Sequence, residues 1–239
     1  MYEMNRTVYH CATAEDGCLK LHEALAMMMD CCQFQEYAET RFRQWLEEQE
    51  TAVFLSFIQM DILRRPAFRE NLKLKVVIYD CQSIYGFRRI TMRDEQDSLC
   101  MIANAVGCFF NFRTGRACKL PGNVHEMLTI DPAEDMECLP RKILLPKEPG
   151  IPLPPYTVVA SALDQNRHLT SSMYLAAAQD RLPEEYSFDR VRIEFKHQSA
   201  KGETLRLAMN ETAPGVRLIR LGGQDGQLHA AVEFSKRGV

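Results

Sequence analysis

In the second half of a 239-residue chain, Asp164, Asn166 and His168 recur at every second position. On an extended backbone such residues point to one side, so three different functional groups could meet one small molecule. Leu169-Thr170-Ser171-Ser172 follows and reads as a helix start, because Thr and Ser are favoured caps. The first turn of that helix offers backbone N–H groups at the positive end of its dipole. A carboxylate, a carboxamide, an imidazole and a helix N-terminus suit transfer of an acyl group to water. Asp164 or His168 would activate or orient the water, and Asn166 with the N–H groups would stabilise an oxyanion. Asp and Asn also favour plain turns and helix starts, so the spacing alone leaves a capping turn as the alternative.

The elements that must position these residues come from hydrophobic periodicity. Thr7–Ala14 reads as a short strand. Leu19–Ala38 is helical, with Leu21, Leu25, Met28, Met29 and Cys32 at three-to-four spacing, and a shorter helix over Phe42–Glu48 carries Trp45. Four strands follow at Ala52–Leu63, Leu72–Tyr79, Ile84–Arg93 and Ser98–Phe112; the second alternates Leu72, Leu74 and Val76 with Lys73 and Lys75. Pro121 to Pro155 holds eight prolines, which predicts an extended surface linker. The pattern then restarts: a strand over Tyr156–Ala162, a helix over Leu169–Gln179, and strands at Val191–His197, Glu203–Glu211, Val216–Leu221 and Gln227–Ser235.

The order strand, helix, four strands thus occurs twice. Ala14-Glu15-Asp16-Gly17 matches Ala162-Leu163-Asp164-Gln165, and Arg69-Glu70-Asn71-Leu72 is comparable with Lys201-Gly202-Glu203-Thr204-Leu205. The expected class is α+β. Each helix needs a sheet to bury its apolar face, which is the hot-dog arrangement, here in tandem. The expected divisions are an N-terminal unit at 1–120, a linker at 121–155 and a C-terminal unit at 156–239.

Composition narrows the function. With 46% hydrophobic and 26% charged residues, the chain is neither disordered nor low-complexity. A net charge of −3 gives no reason to expect nucleic acid as a partner. No apolar stretch approaches the ~20 residues of a membrane span, and Met1–Arg6 lacks an export signal, so a cytoplasmic location is expected. Nine cysteines without Cys-x-x-Cys spacing read as buried free thiols, not as disulfides or a zinc cage. His10, His22, His125 and His229 lack ligand spacing, and His197 reads as a surface residue, so no metal is expected.

The segment Asp164-Gln165-Asn166-Arg167-His168-Leu169-Thr170-Ser171-Ser172-Met173-Tyr174 resembles the Asp-x-Asn-x-His-Val-Asn-Asn-x-x-Tyr motif of acyl-ACP thioesterases, the double hot-dog enzymes of plants and bacteria. Asp61–Glu70, with its Arg64-Arg65-Pro66, is similar to an Arg-Arg-Pro segment of that family. Thr114-Gly115-Arg116 fits a turn of the same family, and Glu194-Phe195-Lys196-His197-Gln198 resembles its Glu-Tyr-Arg-Arg-Glu strand. The resemblance spans nearly the whole chain. It implies hydrolysis of fatty acyl carrier thioesters by water attack, with Asp164, Asn166, His168 and the position of Gln198 as the catalytic set and no cofactor.

The chain departs from that pattern in three places. Thr170 and Ser171 replace two Asn. Val106-Gly107-Cys108 replaces Ser-x-Trp. Gln198-Ser199 replaces an acid that plant members follow with Cys. A carboxamide cannot take a proton, so Asp164 would be the sole carboxylate. The first half, read as Asp16-Gly17-Cys18 against Asp164-Gln165-Asn166, lacks the Asn and the His. Its helix would instead line an acyl pocket through Leu25, Met28, Met29 and Cys32, unless these are plain core. Acyl carrier protein is acidic, so Arg64, Arg65 and Arg69, with Lys73, Arg88, Arg89, Arg93 and Arg167, form the expected docking surface unless they are only a solvated face. The expected partners are acyl carrier protein and a fatty acyl chain, in a monomer or homodimer. Acyl-CoA hydrolysis and non-catalytic acyl or acyl-carrier binding are the alternatives.

Overall fold

The computed structural model describes residues 1–238. It divides into two compact units, Met1–Ile58 with Ile62–Cys138, and Gln59–Asp61 with Leu139 onward.

The first unit opens with β1 (Tyr2–Thr7), a 3-10 turn at His10–Ala12, and helices α1 (Leu21–Ala38) and α2 (Thr40–Glu48). β2 (Thr51–Ile62), β3 (Asn71–Gln82), β4 (Tyr85–Arg93), β5 (Leu99–Asn111) and the short β6 (Arg116–Ala117) follow. The strands lie in the order β1-β3-β4-β5-β2, and β6 pairs with β5. α1 packs on β1, β3 and β4. It buries Leu21, Ala24, Leu25, Met28, Cys31 and Cys32, the single apolar stripe that a 3.6-residue period makes. β3 meets it with Leu72, Leu74 and Val76, while Lys73 stays exposed.

The second unit repeats the plan with β7 (Ile151–Thr157), a 3-10 turn at Ala160–Ala162, α3 (Ser171–Gln179), β8 (Arg190–Phe195), β9 (Thr204–Ala213), β10 (Val216–Gly222) and β11 (Leu228–Ser235). Its order is β8-β11-β10-β9-β7. α3 has 9 residues against 18 in α1, and it packs on β10 and β11. Tyr174 to Ala178 are all buried, and the three alanines let the sheet approach closely. Pro183 stands where the helix would otherwise run on.

Three expectations need correction. Both leading strands start earlier than periodicity placed them. Tyr2–Thr7 is fixed by its register against Asn71–Val76, and of the residues expected as strand, Thr7–Ala14, only Thr7 belongs to it, while His10–Ala12 curl into the 3-10 turn. Tyr156–Ala162 behaves in the same way after β7. Pro152, Pro154 and Pro155 lie inside β7, which runs along β9 only, with a register break between Leu153 and Tyr156. An edge strand with such a break tolerates residues that cannot donate to a ladder. The cysteines are all free, yet only Cys31, Cys32 and Cys100 are buried; Cys11 and Cys138 are exposed and the rest half-buried.

The duplication extends to single hydrogen bonds. Val8 N–H donates to the Glu70 carbonyl and Val158 N–H to that of Glu203, both at 2.9 Å. Leu19 N–H reaches Pro66 O at 2.7 Å, as Leu169 N–H reaches Ser199 O at 2.8 Å. Leu63 N–H bonds Cys100 O, as Lys196 N–H bonds His229 O. Arg69 (φ +73°) and Gly202 (φ +82°) occupy the same left-handed step. These bonds pair residues 8–20 with 158–170, 63–70 with 196–203, and 94–100 with 223–229.

Candidate active site in the second unit

Asp164, Asn166 and His168 do not lie on an extended strand. They ride a tight turn between the 3-10 turn and α3, closed by a bridge between Leu163 and Leu169 and by Asp164 N–H to His168 O at 2.8 Å. Asp164 Oδ1 accepts the N–H groups of Asn166 at 2.8 Å and of His168 at 3.1 Å. Arg167 takes φ +64° to complete the reversal. The carboxylate therefore shapes its own turn, as the capping reading expected, and this also fixes the three side chains around one loop. Asp164 and Asn166 are exposed and His168 is half-buried.

Thr170 occupies the N-cap of α3, but its hydroxyl donates to Ala162 O at 3.1 Å and caps nothing. The N-cap side chain thus leaves the first-turn amides uncapped, and the helix presents its positive end beside the turn.

The shared hydrogen bonds correct the expected pairing of the halves by two residues. Ala14 N–H bonds Cys18 O at 2.8 Å just as Asp164 N–H bonds His168 O, and Gly17 N–H bonds Ala14 O as Arg167 N–H bonds Asp164 O. Ala14 thus stands for Asp164, Asp16 for Asn166 and Cys18 for His168. Asp16 is bound by the two terminal guanidinium nitrogens of Arg65, at 2.6 and 3.2 Å, and Arg65 also holds Leu19 O and Cys18 O. The Cys18 amide and Arg65 hold the Asp16 carboxyl below its usual range. In the second unit, the position of Arg65 is Gln198, exposed on the bend after β8.

Next to Gln198, the fold assembles residues that sequence reading did not join. Ser199 is fully buried, and its Oγ lies 2.8 Å from the Tyr174 hydroxyl and 2.7 Å from His229 Nδ1. His229, 4% exposed, places Nε2 3.2 Å from Glu203 Oε1. Glu203 Oε2 accepts the Ala200 N–H at 3.0 Å. Tyr174 comes from α3, His229 from β11 and the others from the β8–β9 connection, so no local spacing could reveal the set. Comparing the repeats could have flagged it, since His229 stands where the first half has Cys100. His197 is exposed, with its ring 6.2 Å from that of His229.

The expected binding residues separate. Met29 and Cys32 line a pocket in the first unit of ≈ 560 Å³, its open mouth included, with Phe42, Ile78, Phe109 and Leu128. Leu25 and Met28, at 1% and 0% exposed, are core and do not line it. Gly107 also lines the pocket; a Cβ there would meet Val53 Cγ1 at 2.5 Å, so the residue inside the expected Ser-x-Trp site must stay small. Burial pushes the pocket thiol of Cys81 up to about 11.

The arginines are mostly engaged. Arg64 is ion-paired with Glu70 at 2.8 Å and Asp94 at 2.7 Å, and Arg65 with Asp16. Lys73 pairs with Glu3, Arg88 with Glu36, and Arg93 with Glu134. Arg89 donates to Glu134 O and Cys138 Sγ. Arg69 and Arg167 are exposed. Among the described residues, no three His, Cys, Asp or Glu side chains group to hold a metal ion, and no helix is long and apolar enough to cross a membrane.

No protein-family model matches the chain, and no curated protein matches it. Solved structures do. An acyl-ACP thioesterase from Bacteroides thetaiotaomicron is 16% identical, with 98% of this chain and 96% of that one aligned at a TM-score of 0.86. The 12:0-ACP thioesterase from Umbellularia californica is 13% identical, with 98% of this chain and 96% of that one aligned at a TM-score of 0.83. A Staphylococcus aureus protein solved with CoA is 15% identical and matches 61% of this chain with 95% of its own, at 0.51. These likenesses establish the fold as a tandem hot-dog over essentially the full chain.

Proposed function

We propose that this chain is an acyl-ACP thioesterase that releases a free fatty acid from acyl carrier protein by water attack. The observation that carries the reading is the Asp164–His168 turn at the uncapped start of α3, in a fold matched end to end by an acyl-ACP thioesterase. Asp164 keeps one carboxylate oxygen beyond the turn's amides, and this oxygen orients the water and takes its proton. The water oxygen bonds to the thioester carbon, and the oxyanion is met by the Asn166 carboxamide and the first-turn amides of α3. The C–S bond then breaks, and His168 relays the proton that Asp164 took from the water to the departing thiolate, which returns both side chains to their starting state. Gln198 contributes a hydrogen bond only. No cofactor takes part.

The acyl chain would occupy the pocket lined by Met29 and Cys32, where each buried CH₂ contributes ~0.8 kcal/mol. The exposed Arg167 and Arg69 would meet the acidic carrier; the paired arginines are already neutralised. Nine free thiols suit the reducing cytoplasm. A monomer meets the need for two hot-dog units, and a homodimer is the other assembly open to this fold.

Purified protein incubated with octanoyl to palmitoyl carrier thioesters should release free thiol. Absence of release at every chain length would overturn the reading in favour of acyl or carrier binding without turnover, which Gln198 in place of an acid favours. Faster release from acyl-CoA than from the matched acyl carrier would transfer the activity to the CoA esters, the reading favoured by the match to a protein solved with CoA. Gln198→Glu should raise the rate several-fold if a second carboxylate helps the water.

A further inference from the structure

We propose that Tyr174, Ser199, His229 and Glu203 form a buried positioning relay that holds His168 in its working place. It rests on the reading of the turn as the hydrolytic site. His168 has two anchors outside its own loop: it bridges to Ala200, and its neighbour Leu169 donates to Ser199 O at 2.8 Å. The place of the imidazole is therefore only as firm as the Ser199-Ala200 dipeptide. That dipeptide is fixed from three directions: by Tyr174 on α3, by His229 on β11, and by Glu203, which accepts the Ala200 amide.

The four side chains form one continuous chain of hydrogen-bond contacts. The Tyr174 hydroxyl lies 2.8 Å from Ser199 Oγ and 3.4 Å from the His197 carbonyl, Ser199 Oγ lies 2.7 Å from His229 Nδ1, and His229 Nε2 lies 3.2 Å from Glu203 Oε1. Both ring nitrogens of His229 are therefore engaged, one by a hydroxyl and the other by a carboxylate. The site is also shaped for the ring: a Cβ on Gly223 would lie 2.9 Å from His229 Nε2. The groups facing His229 are Ser199, Glu203, the His197 ring and, across Gly223, Asp225.

The first half shows that the fold does not need the relay. Ala24, Pro66 and Cys100 take the places of Tyr174, Ser199 and His229, and Glu70 turns to Arg64 while still accepting the Ala67 amide at 2.7 Å. The relay exists only in the half that carries His168.

The test uses the full-length protein and two independent readouts. In Ser199→Ala and His229→Leu, amide hydrogen exchange at Leu169 and Ala200 should quicken at least several-fold while β10 stays protected. In the same variants, kcat on an acyl carrier thioester should fall roughly 10- to 100-fold with KM within about twofold, because a small misplacement costs the chemical step and not binding. His229→Asn, which keeps an acceptor for Ser199, should recover part of kcat and guards against a folding failure in His229→Leu. Unchanged exchange at Leu169 and Ala200 in both variants would refute the relay. So would a rise in KM at constant kcat. If the wild-type protein releases no thiol from any carrier, the functional reading fails, and the exchange experiment still decides whether the relay holds the turn.

Discussion

Two turns built on the same hydrogen bonds, Ala14–Leu19 and Asp164–Leu169, have opposite fates. In the first, the acid sits at the third position, and Arg65 fastens it to the Leu19 and Cys18 carbonyls. Every strong group is used inside the fold. In the second, the acid moves two residues earlier, an imidazole replaces Cys18, and the position of Arg65 becomes the exposed Gln198. Half of the Asp164 carboxylate makes the turn, and the rest faces out. One backbone thus serves as a clamp in one half and as a candidate site in the other, and only the side chains that close or leave open the charges differ.

The largest effect is expected from making the second turn like the first. Asp164→Ala should lower turnover by at least roughly 100-fold, within the range for loss of a general base. Asn166→Asp with Gln198→Arg would install the first-half ion pair and should stop turnover as completely while leaving the fold intact. Retained thiol release in either variant would remove the distinction between the halves.

A second test concerns corresponding carboxylates. Asp61 and Glu194 hold equivalent positions, both buried. Asp61 is gripped by Nε and one Nη of Arg190, at 2.7 and 2.6 Å, and Arg190 is itself 1% exposed. Glu194 instead accepts the Ile143 amide at 3.0 Å and pairs with the partly exposed Lys196. Arg190→Leu should cost about 3–5 kcal/mol by stranding a buried carboxylate. Lys196→Ala should cost under about 1 kcal/mol, because water can replace its ammonium. Denaturant titration of the two variants would expose any equality between them.

The smallest effect lies at Tyr174, whose counterpart Ala24 cannot titrate. Burial pushes the Tyr174 hydroxyl up to about 12 from 10.0. The folded protein therefore holds this proton more tightly than the unfolded chain does. The resulting stability is complete below about pH 10 and disappears as pH rises toward about 12. Tyr174→Phe should flatten that part of the stability profile. An unchanged alkaline slope in this variant would show that the hydroxyl is not enclosed as described.

Much of this was legible in the residues. The α1 stripe and the Lys-alternating β3 follow from period alone, and the repeat of strand, helix and four strands announces the tandem fold. Asp164, Asn166 and His168 stand out because turn-forming residues precede a capped-looking helix start. The register of the repeat was less legible. Asp16 and Asp164 look equivalent by identity, but two residues of offset separate them, and only the hydrogen bonds count backbone positions. β7 was hidden because proline removes ladder donors, which matters inside a sheet and not at its edge.

Residue order alone dictates which segments bury one face, that the plan occurs twice, and which loop carries an acid, an amide and an imidazole. These are local properties, set by period and side-chain chemistry. Tertiary structure decided which arginines are spent in ion pairs, that Leu25 and Met28 are core while Met29 and Cys32 reach a pocket, and that Ser199 meets His229. Those facts depend on contacts between residues tens of positions apart, where a long-range pairing leaves no mark on local spacing.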